Sequence, residues 1–204
     1  MTDRLPATPE GIAVAAALLR DGGIIAFPTD TVYGVACAAS LPARVEALFG
    51  LKRRPLDRRI PMLVAGIGAV PGGWRVDERA RALADAFWPG ALTLVLPATD
   101  GVGESQAFRA PDHPVALDLI GAAGPLYATS ANVSDEPDTL GADDVLIAFA
   151  TQADELTAVV DGGQVPGGVA STVVDLTETP ARVLRAGPIA DDALERVVEL
   201  APEP

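Results

Sequence analysis

Residues 24–34 read Ile24-Ile25-Ala26-Phe27-Pro28-Thr29-Asp30-Thr31-Val32-Tyr33-Gly34. The first four are apolar and mostly strand-forming, so they predict a short buried strand. Pro28 has no N–H for a ladder and marks the strand's end. Thr29, Asp30, Thr31 and Tyr33 then place four polar side chains in five positions, and Gly34 follows where the backbone must bend or approach a neighbour. An apolar strand that delivers a polar turn is how α/β proteins build sites at strand ends. Spacing alone is equally compatible with a plain Pro-turn capped by Asp and Thr.

Working outward, Thr8-Pro9-Glu10 reads as a helix start, with Pro at the first helical position. The helix runs through Arg20, and Asp21-Gly22-Gly23 stops it. Residues 1–8 read as a loose lead-in. Helices are predicted over 42–51, 77–87, 115–122, 142–150 and 191–200, and strands over 60–65, 91–96, 108–110, 126–129, 158–160, 172–176 and 181–185. The last two strands read as a hairpin, and 91–110 reads as antiparallel. The elements mix without strict βαβ alternation. This predicts an α/β fold: one domain with an open, twisted, mixed sheet and helices packed on it.

The chain has 204 residues, enough for one domain, and 49% hydrophobic residues, enough for a sizeable core. Aromatics are only 4%, so that core is built of Ala, Val, Leu and Ile. The net charge of −13 argues against general affinity for nucleic-acid backbones. Yet six of the fifteen Lys and Arg fall between Arg44 and Arg59, so a local basic pocket is compatible with that charge. A single cysteine, Cys37, allows no internal disulfide and suits a reducing cytoplasm. No apolar run approaches the ~20 residues of a membrane span, and no signal-like N-terminus is evident.

The basic segment 52–59 is the first candidate for chemistry. Lys52, Arg54 and Arg58 converge if the helix breaks at Pro55, and Arg forks with a point-charge Lys suit phosphate oxygens. The turn Thr129-Ser130-Ala131-Asn132 ends another strand in small polar side chains. The loop 161–172, DGGQVPGGVAST, is glycine-rich but carries neither a P-loop nor a dinucleotide fingerprint. His113, between Asp112 and Pro114, reads as a turn residue rather than a base, and Cys37 as a small core residue. Cations and hydroxyls without an evident nucleophile fit a reaction in which the substrates attack each other.

Seven motifs occur in order: PTDTVYG at 28–34, K-x-R-P at 52–55, FWPGALTLVLP at 87–97, R-x-P-D-H-P at 109–114, TSANVS at 129–134, VDGG…STVVDL at 160–176 and RVLRAGPI at 182–189. In this series the chain resembles the Sua5/YciO/YrdC family, whose best-known members are threonylcarbamoyl-AMP synthases. The resemblance implies a YrdC-like domain over 10–190 around a concave pocket, after a lead-in at 1–9 and before a closing helix and tail at 191–204. The same resemblance implies the short form, without the C-terminal Sua5 domain.

The resemblance also implies a reaction. L-threonine, bicarbonate or CO2, and ATP with Mg2+ give threonylcarbamoyl-AMP and pyrophosphate in the cytoplasm. The product is used by downstream machinery for t6A modification of tRNA. By the same resemblance, Lys52, Arg54 and Ser130 form the catalytic set. Arg54, Arg58, Ser105, Asn132, Thr139 and Arg185 face ATP. Thr31, Tyr33, Arg109, Ser130 and Ser171 face threonine. The alternative is a YciO-type relative that binds RNA or nucleotide with little or different synthase activity. The sequence departs from the family at Asp135, where Gly is usual, at Arg59 and at Ala38.

Overall fold

The apolar run at 24–27 is buried on both sides. In the computed structural model, which describes residues 2–52, 60–100, 104–133 and 136–202, it enters strand β2 (Ile25–Pro28). Ile25 and Phe27 face one core, with helices α1 (Pro9–Arg20) and α4 (Pro114–Ala123). Ile24 and Ala26 face a second, with α2 (Arg44–Lys52) and α5 (Ala142–Ala148). A strand covered on both faces needs continuous apolarity instead of alternation, which is what this run supplies.

Around β2, the described strands form one ten-stranded sheet. The remaining strands are β1 (Asp3–Pro6), β3 (Tyr33–Ala38), β4 (Met62–Leu63), β5 (Leu92–Pro97), β6 (Ser105–Arg109), β7 (Leu126–Ser130), β8 (Ala158–Asp161), β9 (Thr172–Asp175) and β10 (Arg182–Arg185). Their order is β1-β8-β2-β3-β7-β4-β6-β5-β9-β10. β2 and β3 form an antiparallel hairpin, and β3 pairs antiparallel with β7, setting Gly34 opposite Ser130. β4 runs parallel to β6, and β5 parallel to β9. The sheet is therefore mixed, as the sequence predicts.

The sheet is covered unevenly, and this positions the site. α1 and α4 cover β8, β2, β3 and β7 on one face. On β4, β6, β5 and β9 the opposite face is covered. There α3 (Glu78–Phe87) and α6 (Asp191–Glu195) bury Leu92, Leu94, Leu96, Phe108 and Val174. Side chains alternate along a strand, so Thr93, Ala107, Arg109 and Val173 project from the other face into an open concavity.

Several boundaries differ from the sequence reading. The lead-in contains β1, paired in parallel with β8. Tyr33 and Gly34 open strand β3 instead of completing a turn. β4 is shorter than 60–65, because Pro61 has no N–H to donate and only its carbonyl pairs, accepting from Ala128 N at 3.1 Å. β6 begins at Ser105, earlier than expected. α6 stops at Glu195 because the chain after it pairs with the start of β10. There Ala181 N donates to Glu199 O at 3.0 Å and Ala201 N to Ala181 O at 2.7 Å.

Candidate active site

Three strand ends meet at the concavity: the β2–β3 tip, the end of β7 and the end of β6. Each carries a different chemistry. At the tip, the Thr29 hydroxyl donates to Val32 O at 2.6 Å and accepts from Thr31 N at 3.2 Å. These bonds fold the turn so that Thr29, Thr31 and Val32 form one wall of a cavity of about 400 Å³.

At the end of β7, Ser130 lines the cavity. Its hydroxyl donates to Asn132 Oδ1 at 2.6 Å and accepts from Lys52 Nζ at 3.1 Å. Lys52 comes from the last turn of α2 and is 3% exposed. It also donates to Ser130 O at 2.5 Å and to Asn132 Oδ1 at 3.2 Å. A buried ammonium requires such compensation. Asn132 Nδ2 donates to Glu136 O at 2.6 Å, and the Thr139 hydroxyl to Ala131 O at 3.0 Å. With its proton given to Asn132, the Ser130 hydroxyl presents lone pairs to the cavity.

At the end of β6, Arg109 Nη2 donates to both carboxylate oxygens of Asp30 at 2.7 Å, and Nε donates to Gly90 O at 3.0 Å. Arg185 reaches the same cavity from β10. Its Nε donates to Ser171 O at 3.0 Å and its Nη2 to Ser171 Oγ at 3.2 Å. Ser171 Oγ in turn shares a 2.7 Å hydrogen bond with Thr93 Oγ1. Burial lowers the Arg185 pKa, and the positive charge of Arg109 lowers it further. Two guanidiniums that feel one another across one cavity leave a place for an anion between them.

The structure thus brings Thr31, Arg109, Ser130, Ser171 and Arg185 to one cavity. Lys52, Asn132 and Thr139 sit behind it, with their polar groups spent on the Ser130 turn. Ser105 lies at the far end of β6, two residues before Ala107 and outside the lining. Tyr33, expected to line the pocket, is fully buried in the second core. Its hydroxyl donates to Gly163 O at 2.7 Å and accepts from Gly162 N at 3.2 Å, so it pins the glycine-rich loop instead. The expectations for Arg54 and Arg58, and the departures at Arg59 and Asp135, lie outside the described residues.

His113 is the N-cap residue of α4, in agreement with its reading as a turn residue. Burial lowers its pKa, against the raising influence of Asp30 and Asp112. Cys37 is buried, and its thiol is pushed up to about 11, which keeps it from acting as a nucleophile.

Sequence reasoning missed Thr93 and gave Asp30 no role. Thr93 had a signal: it is the one polar residue in the strand Leu92–Leu96. Asp30 had one too, as the sole charge in the polar turn.

The comparisons with known proteins give the family and the fold. The Sua5_yciO_yrdC family model, described as "Telomere recombination", matches residues 17–187. The chain belongs to the Sua5/YciO/YrdC family. The threonylcarbamoyl-AMP synthase of Bacillus subtilis is 38% identical over 97% of this chain, which spans 59% of that protein. The crystal structure of Pyrococcus abyssi Sua5 complexed with L-threonine superposes with a TM-score of 0.87 at 34% identity, over 99% of this chain and 63% of that one. Escherichia coli YciO, at 22% identity and a TM-score of 0.81, shares the fold over 95% of this chain and 100% of its own. This chain therefore spans less than two thirds of the Bacillus and Pyrococcus relatives. Among the described residues, no helix is long and apolar enough to cross a membrane.

Proposed function

We propose that this chain forms threonylcarbamoyl-AMP and pyrophosphate from L-threonine, bicarbonate or CO2, and ATP, for t6A modification of tRNA by downstream machinery. One observation carries the reading: Arg109 and Arg185 face one cavity whose lining, among the described residues, holds hydroxyls and no activated nucleophile.

Chemistry and geometry fit as follows. The threonine amine adds to CO2 and loses a proton, giving a carbamate. A carbamate oxygen attacks the α-phosphorus of ATP, and pyrophosphate leaves with the electrons of the broken P–O bond. Arg109 takes the threonine carboxylate and Arg185 a phosphate, which brings two anions together at low electrostatic cost. Ser130, its own proton engaged by Asn132, accepts the amine N–H and orients the nitrogen. Thr31 and Ser171 bound the amino-acid side of the cavity. The Lys52 ammonium lies behind Ser130 and adds positive potential where carbamate charge develops.

ATP accompanied by Mg2+ is the expected nucleotide form. Among the described residues no group of His, Cys, Asp or Glu assembles to hold a metal. Any Mg2+ would therefore come with the ATP phosphates, and no step above depends on one. The net charge of −13 gives no support to RNA as a main ligand.

The test is pyrophosphate release by the purified chain with ATP, bicarbonate and threonine. Release that needs all three is expected. Equal release with serine, or without any amino acid, would contradict the proposal.

A further inference from the structure

The Arg109 guanidinium is fixed at two of its three nitrogens. Nε is held by Gly90 O, and Nη2 by both oxygens of Asp30. The pair is well shielded, with 12% and 16% of the two side chains exposed. Among the described residues, Nη1 makes no hydrogen bond and is left for a ligand in the cavity that Arg109 lines. The anchors are themselves fixed. Gly90 N donates to Ala110 O at 2.8 Å, beside Arg109. A Cβ on residue 90 would lie 2.5 Å from Phe87 O, so only glycine brings this carbonyl into place. Asp30 sits in the turn folded by Thr29.

Charge balance adds to the geometry. Arg109 and Arg185 repel each other across the cavity. An Arg109 without a counter-charge would swing away or bind phosphate as readily as Arg185 does. A carboxylate paired to Nη2 removes both tendencies.

We propose that Asp30 is a positioning residue that acts through Arg109, holding the guanidinium so that Nη1 alone meets the substrate carboxylate. The inference rests on the reading that Arg109 takes an amino-acid carboxylate. It divides the cavity by charge, with a half-neutralised cation for a carboxylate at Arg109 and, at Arg185, one with no carboxylate partner among the described residues for phosphate.

Asp30→Asn keeps the size of the side chain and removes its charge. It is expected to raise the threonine KM about tenfold, as loss of one charge-assisted contact does, with the ATP KM changed less than twofold. In an Arg109→Ala background the same substitution should add no further rise, because its effect passes through the missing side chain. Asp30→Glu should recover part of the loss. A threonine KM unchanged in Asp30→Asn, or effects that multiply in the double variant, would overturn the proposal.

A second readout needs no substrate. The Arg109 Nη2–H signals in ¹H–¹⁵N spectra should be protected from exchange in the native chain, where both Asp30 oxygens hold that nitrogen, and lose protection in Asp30→Asn. Equal protection in both would overturn the positioning role even if the chain released no pyrophosphate. An inactive native chain with lost protection would count against the proposed reaction only.

Discussion

Lys52 Nζ carries three protons and, among the described residues, donates to Ser130 O, Ser130 Oγ and Asn132 Oδ1. At 3% exposure, this ammonium and its partners gain more from one another than surface groups would. Lys52→Met deletes all three donors and leaves the Ser130 turn short of partners. Turnover should fall more than tenfold, since hydrogen bonds to charged groups contribute about 1.5–3 kcal/mol each. Lys52→Arg should not restore it, because a planar fork directs its protons differently from a tetrahedral ammonium. Steady-state kinetics on both variants tests this, and native rates in Lys52→Met would show the turn to be self-supporting. The sequence reading marked Lys52, Ser130 and Asn132 but not their mutual bonds. Spacings of 78 and 80 residues carry no sign of contact; only α2 ending over the tip of β7 brings them together. Tyr33 shows the opposite failure. Its place in a polar cluster suggested the pocket, but a strand starting at residue 33 turns its ring to the other face of the sheet.

At the scale of elements, the edge strand β1 and the loop after β8 are joined by charge. Arg4 Nη2 and Nε donate to Asp161 Oδ2 at 2.7 and 3.0 Å, and Arg4 Nη1 donates to Asp143 at 2.7 Å. Asp161 Oδ1 accepts from Gly163 N at 3.1 Å, at the start of the glycine-rich loop that Tyr33 also holds. The Arg4 hydrogen bond, followed by that of Gly163, lowers the Asp161 pKa below the ordinary carboxylate range. Folding favours the ionised form here. The contribution is present above about pH 3.9, the value of an unperturbed Asp, and is lost as pH falls through the lower folded value. Arg4→Ala should therefore move the Asp161 pKa upward in a ¹³C-carboxyl titration and weaken the acid dependence of unfolding in that window. An unmoved titration would show the bridge to be negligible. β1 was not legible because Asp3-Arg4-Leu5-Pro6 has one apolar residue; it is a strand by virtue of its partner β8. By contrast β2, α1, α3 and α4 were legible. Their apolar patterns and end signals agree with their burial, as with Thr8 accepting from Gly11 N and Asp77 from Ala80 N.

For the whole molecule, the decisive feature is one sheet with helices on unequal parts of its two faces. Among the described residues, three cores follow from that arrangement, and so does the patch left open by the described helices, where Thr93, Ala107, Arg109 and Val173 look out. The sequence disclosed a mixed sheet through its strand spacing, but not the strand order. β5 beside β9, and β3 beside β7, are pairings across 80 and 92 residues with no local trace. The motif series made up part of that gap, because a resemblance carries the topology that periodicity does not. The central claim is that this patch seats an amino acid beside a nucleotide. A crystal structure of the chain with L-threonine tests it most directly. The account predicts the threonine carboxylate within about 3 Å of Arg109 Nη1, its amine facing Ser130, and the Asp30–Arg109 pair intact. Threonine bound away from Arg109, or a carboxylate that displaces Asp30, would contradict it.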